Sequence, residues 1–125
     1  MNTRDKILAS SGADAPRKLK LTPQQVLVIG TFDPLLAAHS ERLTELKNKA
    51  GATLFVAVAD LPYALLDRRA RMELVAALRV VDFVMPYEKG LESASCWTSV
   101  HDDTPLHARW SADFKEHVRH RSQSA

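Results

Sequence analysis

The chain predicts an α/β fold, a three-layer Rossmann-like domain around a small parallel sheet. Three observations point there. Residues 26–29, Val-Leu-Val-Ile, run without a polar interruption into Gly30, as a strand buried on both faces of a parallel sheet does. Residues 39–50 then place Leu43, Leu46 and Ala50 three and four apart, with Glu41, Arg42, Glu45, Lys47 and Lys49 on the other faces, which is an amphipathic helix. Residues 53–59 are a second uninterrupted apolar run, and a right-handed strand-helix-strand connection makes the two strands parallel.

At 125 residues the chain has the size of one domain, expected over 25–125 behind an N-terminal arm, 1–24. The arm joins Ile7, Leu8 and Ala9 to a Ser-, Gly- and Pro-containing stretch and the basic run Arg17-Lys18-Leu19-Lys20, read as a solvated approach to the first strand. Between strand and helix, Asp33-Pro34 marks a turn, and the helix opens around Ala37-Ala38-His39-Ser40. Strand, loop and helix together aim backbone N–H groups at one point above the sheet, where α/β proteins hold phosphates. Gly51 ends the helix in the usual C-terminal place.

Asp60-Leu61-Pro62-Tyr63 is a loop on the same side as Gly30. Residues 65–78 read as a second sheet-packed helix, with Leu66, Ala70, Leu74, Ala77 and Leu78 as its apolar set. Arg68, Arg69 and Arg71 crowd its start and oppose the helix dipole, so a bound phosphate or a neighbouring carboxylate is expected to favour them. Residues 79–87 are a third strand; 90–99 read as a polar loop and 111–120 as a last helix.

Hydrophobic content of 46%, charged content of 26% and a net charge of +2 fit a globular protein and give no reason to expect nucleic acid or an anionic membrane as a partner. The single cysteine, Cys96, forms no internal disulfide and has no base nearby in sequence, so an inert thiol is expected. With no signal-like apolar run at the N-terminus and no 18-residue apolar span, the expected location is the cytoplasm.

Gly30-Thr31-Phe32-Asp33 with His39 six residues after the Asp resembles the signature of the cytidylyltransferase-like nucleotidyltransferases, roughly G-x-F-D-x-x-H-x-G-H. Leu36 stands at the first histidine position and Ala38 at the glycine between the histidines. Residues 78–84, Leu-Arg-Val-Val-Asp-Phe-Val, are similar to the family's A-L-x-x-V-D-x-V segment, so the resemblance covers about Gln25 to Glu88. Asp102-Asp103-Thr104-Pro105 is similar to a segment that precedes a helix in relatives; the far strands and a later phosphate-clamp motif are not seen, so the domain is expected to be shortened.

The resemblance implies attack of a phosphorylated sugar or polyol on the α-phosphorus of CTP or ATP, with loss of pyrophosphate and Mg²⁺ accompanying the nucleotide. It implies nucleotide contacts from Gly30, Thr31, Phe32, Asp33, His39, Arg69 and Arg71, with His39 and Lys47 as catalytic donors. Leu36 has no donor to offer, and a lost transition-state hydrogen bond costs about 10² to 10³ in rate; Ala38 adds a methyl where backbone approaches ligand. The expected function is therefore a nucleotide-binding domain with impaired or lost transfer. Two alternatives stand beside it. One is an active transferase in which Tyr63, Arg69 or a C-terminal histidine replaces the donor; the other is a non-enzymatic interaction or regulatory homodimer.

Structural roles compete at several positions. Asp33 can shape its loop by accepting backbone N–H groups, and Arg69 or Arg71 can pair with Asp67 or Glu73. His101, Asp102, Asp103 and His107 match no defined metal spacing and are placed in a polar loop, so no metal site is expected. His117 and His120 read as solvated, and Trp97 and Trp110 as packing anchors, with a subunit contact among the options. An open edge on the first strand is expected to be covered by the N-terminal arm, the segment after Glu88 or a second subunit, a homodimer being common in the family.

Overall fold

The computed structural model describes residues 3–8 and 24–124. Its centre is a four-stranded, all-parallel sheet in a small Rossmann-like α/β fold. Strand β1 (Gln25–Gly30) and strand β2 (Thr53–Val58) are joined by helix α2 (Ala37–Ala50), after a short N-terminal helix α1 (Thr3–Lys6). Helix α3 (Arg68–Ala76) leads to β3 (Phe83–Pro86), and β4 (Ser99–Asp102) leads to the long helix α4 (Thr104–Ser124). The order across the sheet is β3-β2-β1-β4, so the chain reverses its direction of winding at β1.

Every residue of β1 and of β2 is buried, which is why neither carries a polar alternation. Val26, Val28, Leu54, Val56 and Val58 face α2 and α3, with Leu43, Leu46, Met72 and Val75 closing that side. Leu27, Ile29, Phe55, Ala57 and Met85 face the other way, under Leu91 of the 3₁₀ turn Leu91–Ser93 and Trp97. Trp97 donates its indole N–H to the Leu91 carbonyl and stands edge-on to Phe55, so it anchors this second layer within the domain. Gly51 ends α2 in the left-handed conformation, φ 59°, as its position predicts.

Several expectations are corrected. The expected loop holds from 90 to 98, with a 3₁₀ turn at Leu91–Ser93, but a later strand follows it: β4 begins at Ser99 and pairs with β1 in parallel, and the last helix begins at Thr104 rather than 111. The segment after Glu88 therefore covers the edge of β1. The arm is not wholly a solvated approach: Ile7 bridges Val84 on β3, the Leu8 N–H donates to the Val84 carbonyl and Lys6 Nζ to the Leu78 carbonyl. The basic run 17–20 lies outside the described residues.

The third strand is shorter than residues 79–87, because Asp82 is spent on other bonds. Its carboxylate accepts the Leu54 N–H and the Lys47 ammonium. The second helix starts later than 65, because the Leu65 and Leu66 N–H groups donate to Asp33 and Asp67 is the N-cap, accepting from the Ala70 N–H at 2.7 Å. Its inward face is Arg71, Met72, Val75 and Ala76, whereas Leu66 and Leu74 of the expected set are exposed. A buried cation turns this helix on its axis relative to a purely apolar reading. Among the described residues no helix is long and apolar enough to cross a membrane.

Candidate functional site

In a sheet of this winding, ligands bind outside the carboxyl ends of the strands where the order reverses, between β1 and β4. The loop 31–36 leaves β1 there, and α4 arrives there from β4. Phe32 takes a left-handed conformation, φ 51°, uncommon for a bulky residue and affordable only where the surroundings fix it. This bend turns the Thr31 and Phe32 N–H groups toward the crevice, and both converge on one atom. That atom is Nδ1 of His107, at 3.1 Å from Thr31 N and 3.5 Å from Phe32 N.

Gly30 makes room for the ring. A Cβ at position 30 would lie 2.1 Å from His107 Cε1 and 2.3 Å from Nδ1, closer than any side chain tolerates. His107 sits on the first turn of α4, 1% exposed. It forms one ring cluster with buried Phe32 and His39 and half-buried Trp110: the His39 and His107 centroids are 4.4 Å apart, and Trp110 stacks on His107 at 5.6 Å while standing perpendicular to His39 at 4.9 Å. Trp110 is therefore an anchor of α4 on the domain. A further tie is the Ser111 hydroxyl, which donates to the Asp33 carbonyl.

His39 is fully buried. Its Nδ1 accepts the Leu36 N–H at 2.9 Å, the bond that Glu or Gln makes in a capping box. A ring whose Nδ1 accepts carries its proton on Nε2. That nitrogen has no hydrogen-bond partner among the described residues. The same logic assigns the Nε2–H tautomer to His107. Both rings are held neutral: burial lowers the His39 pKa, opposed by Asp103, while burial, His39 and the Arg42 cation push His107 down to about 3, opposed by Asp102. Arg42 itself is bound to the buried Asp103 carboxylate at 3.1 and 3.3 Å.

The other residues singled out in the sequence divide into two groups. Gly30, Thr31, Phe32, Asp33, His39 and Arg71 come together at the carboxyl end of the sheet. The Asp33 carboxylate accepts N–H bonds from Leu65 and Leu66 at 2.8 to 3.2 Å, tying the loop after β1 to the one after β2. Arg71, 1% exposed, donates to the carbonyls of Thr31 (2.8 Å), Ala59 (2.9 Å) and Leu66 (3.0 Å), and burial lowers its pKa. Lys47 and Arg69 lie elsewhere. Lys47 is eight residues along α2 from His39, about 12 Å of rise, and pairs with Asp82 at the amino end of the sheet. Arg69 pairs with Glu73 on the exposed face of α3 at 3.2 Å.

The cations at the start of α3 are thus met from within the chain, by the Asp67 cap, Glu73 and main-chain carbonyls, Arg68 donating to that of Tyr87. His101, Asp102 and Asp103 belong to β4 and the start of α4, not to a loop, and no group of three or more His, Cys, Asp or Glu among the described residues is placed to hold a metal. His107 was met in the sequence only as part of that set. Beside the plugged crevice a cleft of about 270 Å³ is lined by Thr31, Asp33, Leu61, Ser111 and Lys115. Compared with protein-family models and with curated proteins, the chain matches none.

Proposed function

We propose that the chain is a cytidylyltransferase-like domain that has kept the architecture of a nucleotide site and lost nucleotidyl transfer. The observation that carries this reading is the occupation of the Thr31 and Phe32 N–H pair by His107 Nδ1. Transfer to a phosphorylated sugar or polyol asks for donors that stabilise charge growing on the α-phosphoryl oxygens. Leu36 offers none, the backbone pair is already engaged, and the His39 Nε2–H faces aromatic rings. Each missing donor costs about 10² to 10³ in rate. Asp33 spends its carboxylate on Leu65 and Leu66, so Mg²⁺ enters only as the counterion that CTP or ATP brings.

Incubation with CTP or ATP, Mg²⁺ and glycerol phosphate or a sugar phosphate is expected to release no pyrophosphate above background. Turnover would refute the loss and favour a substituted donor. Calorimetry with CTP, CMP, ATP and ADP is expected to detect weak binding; silence toward all four would remove the nucleotide site from the reading. The second reading, an interaction homodimer, is favoured by exposed Phe114 (36%) and Val118 (46%), one turn apart on α4. Light scattering across a dilution series tests it.

A further inference from the structure

The ring of His107 stands where a ligand would have to be. Two consecutive backbone N–H groups, turned to one side by the left-handed Phe32, form the concavity that binds phosphate oxygens in other proteins. A third donor, the buried His39 Nε2–H, which has no partner among the described residues, belongs to the same cluster. Gly30 leaves the floor without a side chain. All of these surround a neutral acceptor supplied by the chain itself.

We propose that His107 is an internal competitor for the anion site formed by the Thr31 and Phe32 N–H groups, and that α4 is the lid carrying it: a phosphate-bearing ligand binds only when the imidazole leaves. The inference rests on the reading of this crevice as a phosphate site and adds its regulation. The lid is tied only near its start, where Arg42 also holds the Asp103 carboxylate at 3.1 and 3.3 Å. Trp110 stacks within the cluster and Ser111 bonds to the Asp33 carbonyl, but from Ala112 to Arg119 the helix is exposed. Tilting α4 therefore breaks little beyond its first two turns, and the cleft beside Leu61 and Lys115 gives the ring a direction in which to move.

Inorganic pyrophosphate is the probe, titrated into the ¹⁵N-labelled full chain while the Thr31 and Phe32 amide resonances are followed. His107→Ala is expected to bind at least tenfold tighter than the wild type, with the shifts centred on those two amides. Ser111→Ala leaves the N–H pair untouched and removes one tie of the lid, so it is expected to bind about fivefold tighter. Equal affinity in all three proteins, or shifts centred elsewhere, overturns the proposal. If circular dichroism shows that His107→Ala does not fold, Ser111→Ala decides, a rise supporting the lid and no rise refuting it. A chain that takes up pyrophosphate in this way but no nucleotide keeps the lid and loses the function above. One that binds CTP with no dependence on His107 or Ser111 does the reverse.

Discussion

Acidification should unfold this protein through its buried imidazoles before its carboxylates matter. His107 has a pKa near 6.5 in the unfolded chain and about 3 in the folded one, the lower value reflecting burial first, then His39 and Arg42. The groups that act on it are His39 and Arg42 from α2, which disfavour its cation, and Asp102 from the end of β4, which favours it. The unfolded state thus binds the proton more readily, so stability is fully present above about pH 6.5 and falls as pH drops toward 3.

In that window each such group removes about 1.4 kcal/mol per pH unit. From pH 7 to pH 5 His107 alone accounts for about 2 kcal/mol, and His39, shifted in the same direction, adds to it. With a urea dependence of about 2 kcal/mol per molar, the unfolding midpoint should fall by about 1 M over those two pH units, above the ordinary carboxylate range near 4. Equilibrium urea unfolding of wild type and of His107→Gln, which keeps an acceptor for the N–H pair, measures this. A wild-type midpoint that does not move, or a fall that survives undiminished in His107→Gln, would refute the placement of a neutral imidazole over Gly30.

Gly30→Ala forces a methyl into His107 and is expected to cost about 1 to 3 kcal/mol; most of that loss should vanish in a His107→Ala background, and strict additivity in the double-mutant cycle would contradict the contact. Asp33→Ala strips the acceptor from the Leu65 and Leu66 N–H groups. Because Leu65 is 57% exposed, water replaces much of that bond, so the cost should be near 1 kcal/mol. The sharper readout is hydrogen exchange at Leu65 and Leu66, which should accelerate while β1 and β2 amides stay protected; unchanged protection at those two amides would mean that the carboxylate does not hold the loop.

The parts of the fold that were legible in the sequence are those in which burial is total. Residues 26–29 and 54–58 are apolar because both faces of their strands are covered, and short runs of this β-branched and aromatic composition suit a buried parallel strand. β4 escaped because it is an edge strand: Ser99, Val100, His101 and Asp102 alternate between partly covered and exposed, so half-solvated polar residues serve. The face of α3 was misplaced by Arg71, a cation expected to meet a phosphate or a carboxylate that instead donates to three main-chain carbonyls inside the domain. His107 was recoverable in principle. Thr104-Pro105 after two aspartates is a helix-start pattern, and starting the helix there puts His107 on its first turn, facing back toward the sheet.

What His107 does for stability bears on whether the crevice can be opened to a phosphate ligand. Two buried N–H groups without an acceptor would cost about 1 to 3 kcal/mol each, so a fold that buries such a pair without a ligand needs an acceptor of its own. A neutral imidazole supplies one without importing a charge, and Gly30 lets the backbone approach the ring. Substitution of Leu36 by histidine therefore adds a donor beside a place that is already filled. On the reading proposed here, Leu36→His alone should release no pyrophosphate from CTP or ATP, whereas Leu36→His combined with His107→Ala should bind nucleotide more tightly than either single variant. Pyrophosphate release by the Leu36→His protein with His107 intact would show that the ring leaves the crevice at negligible cost, and the lid would then be no barrier at all.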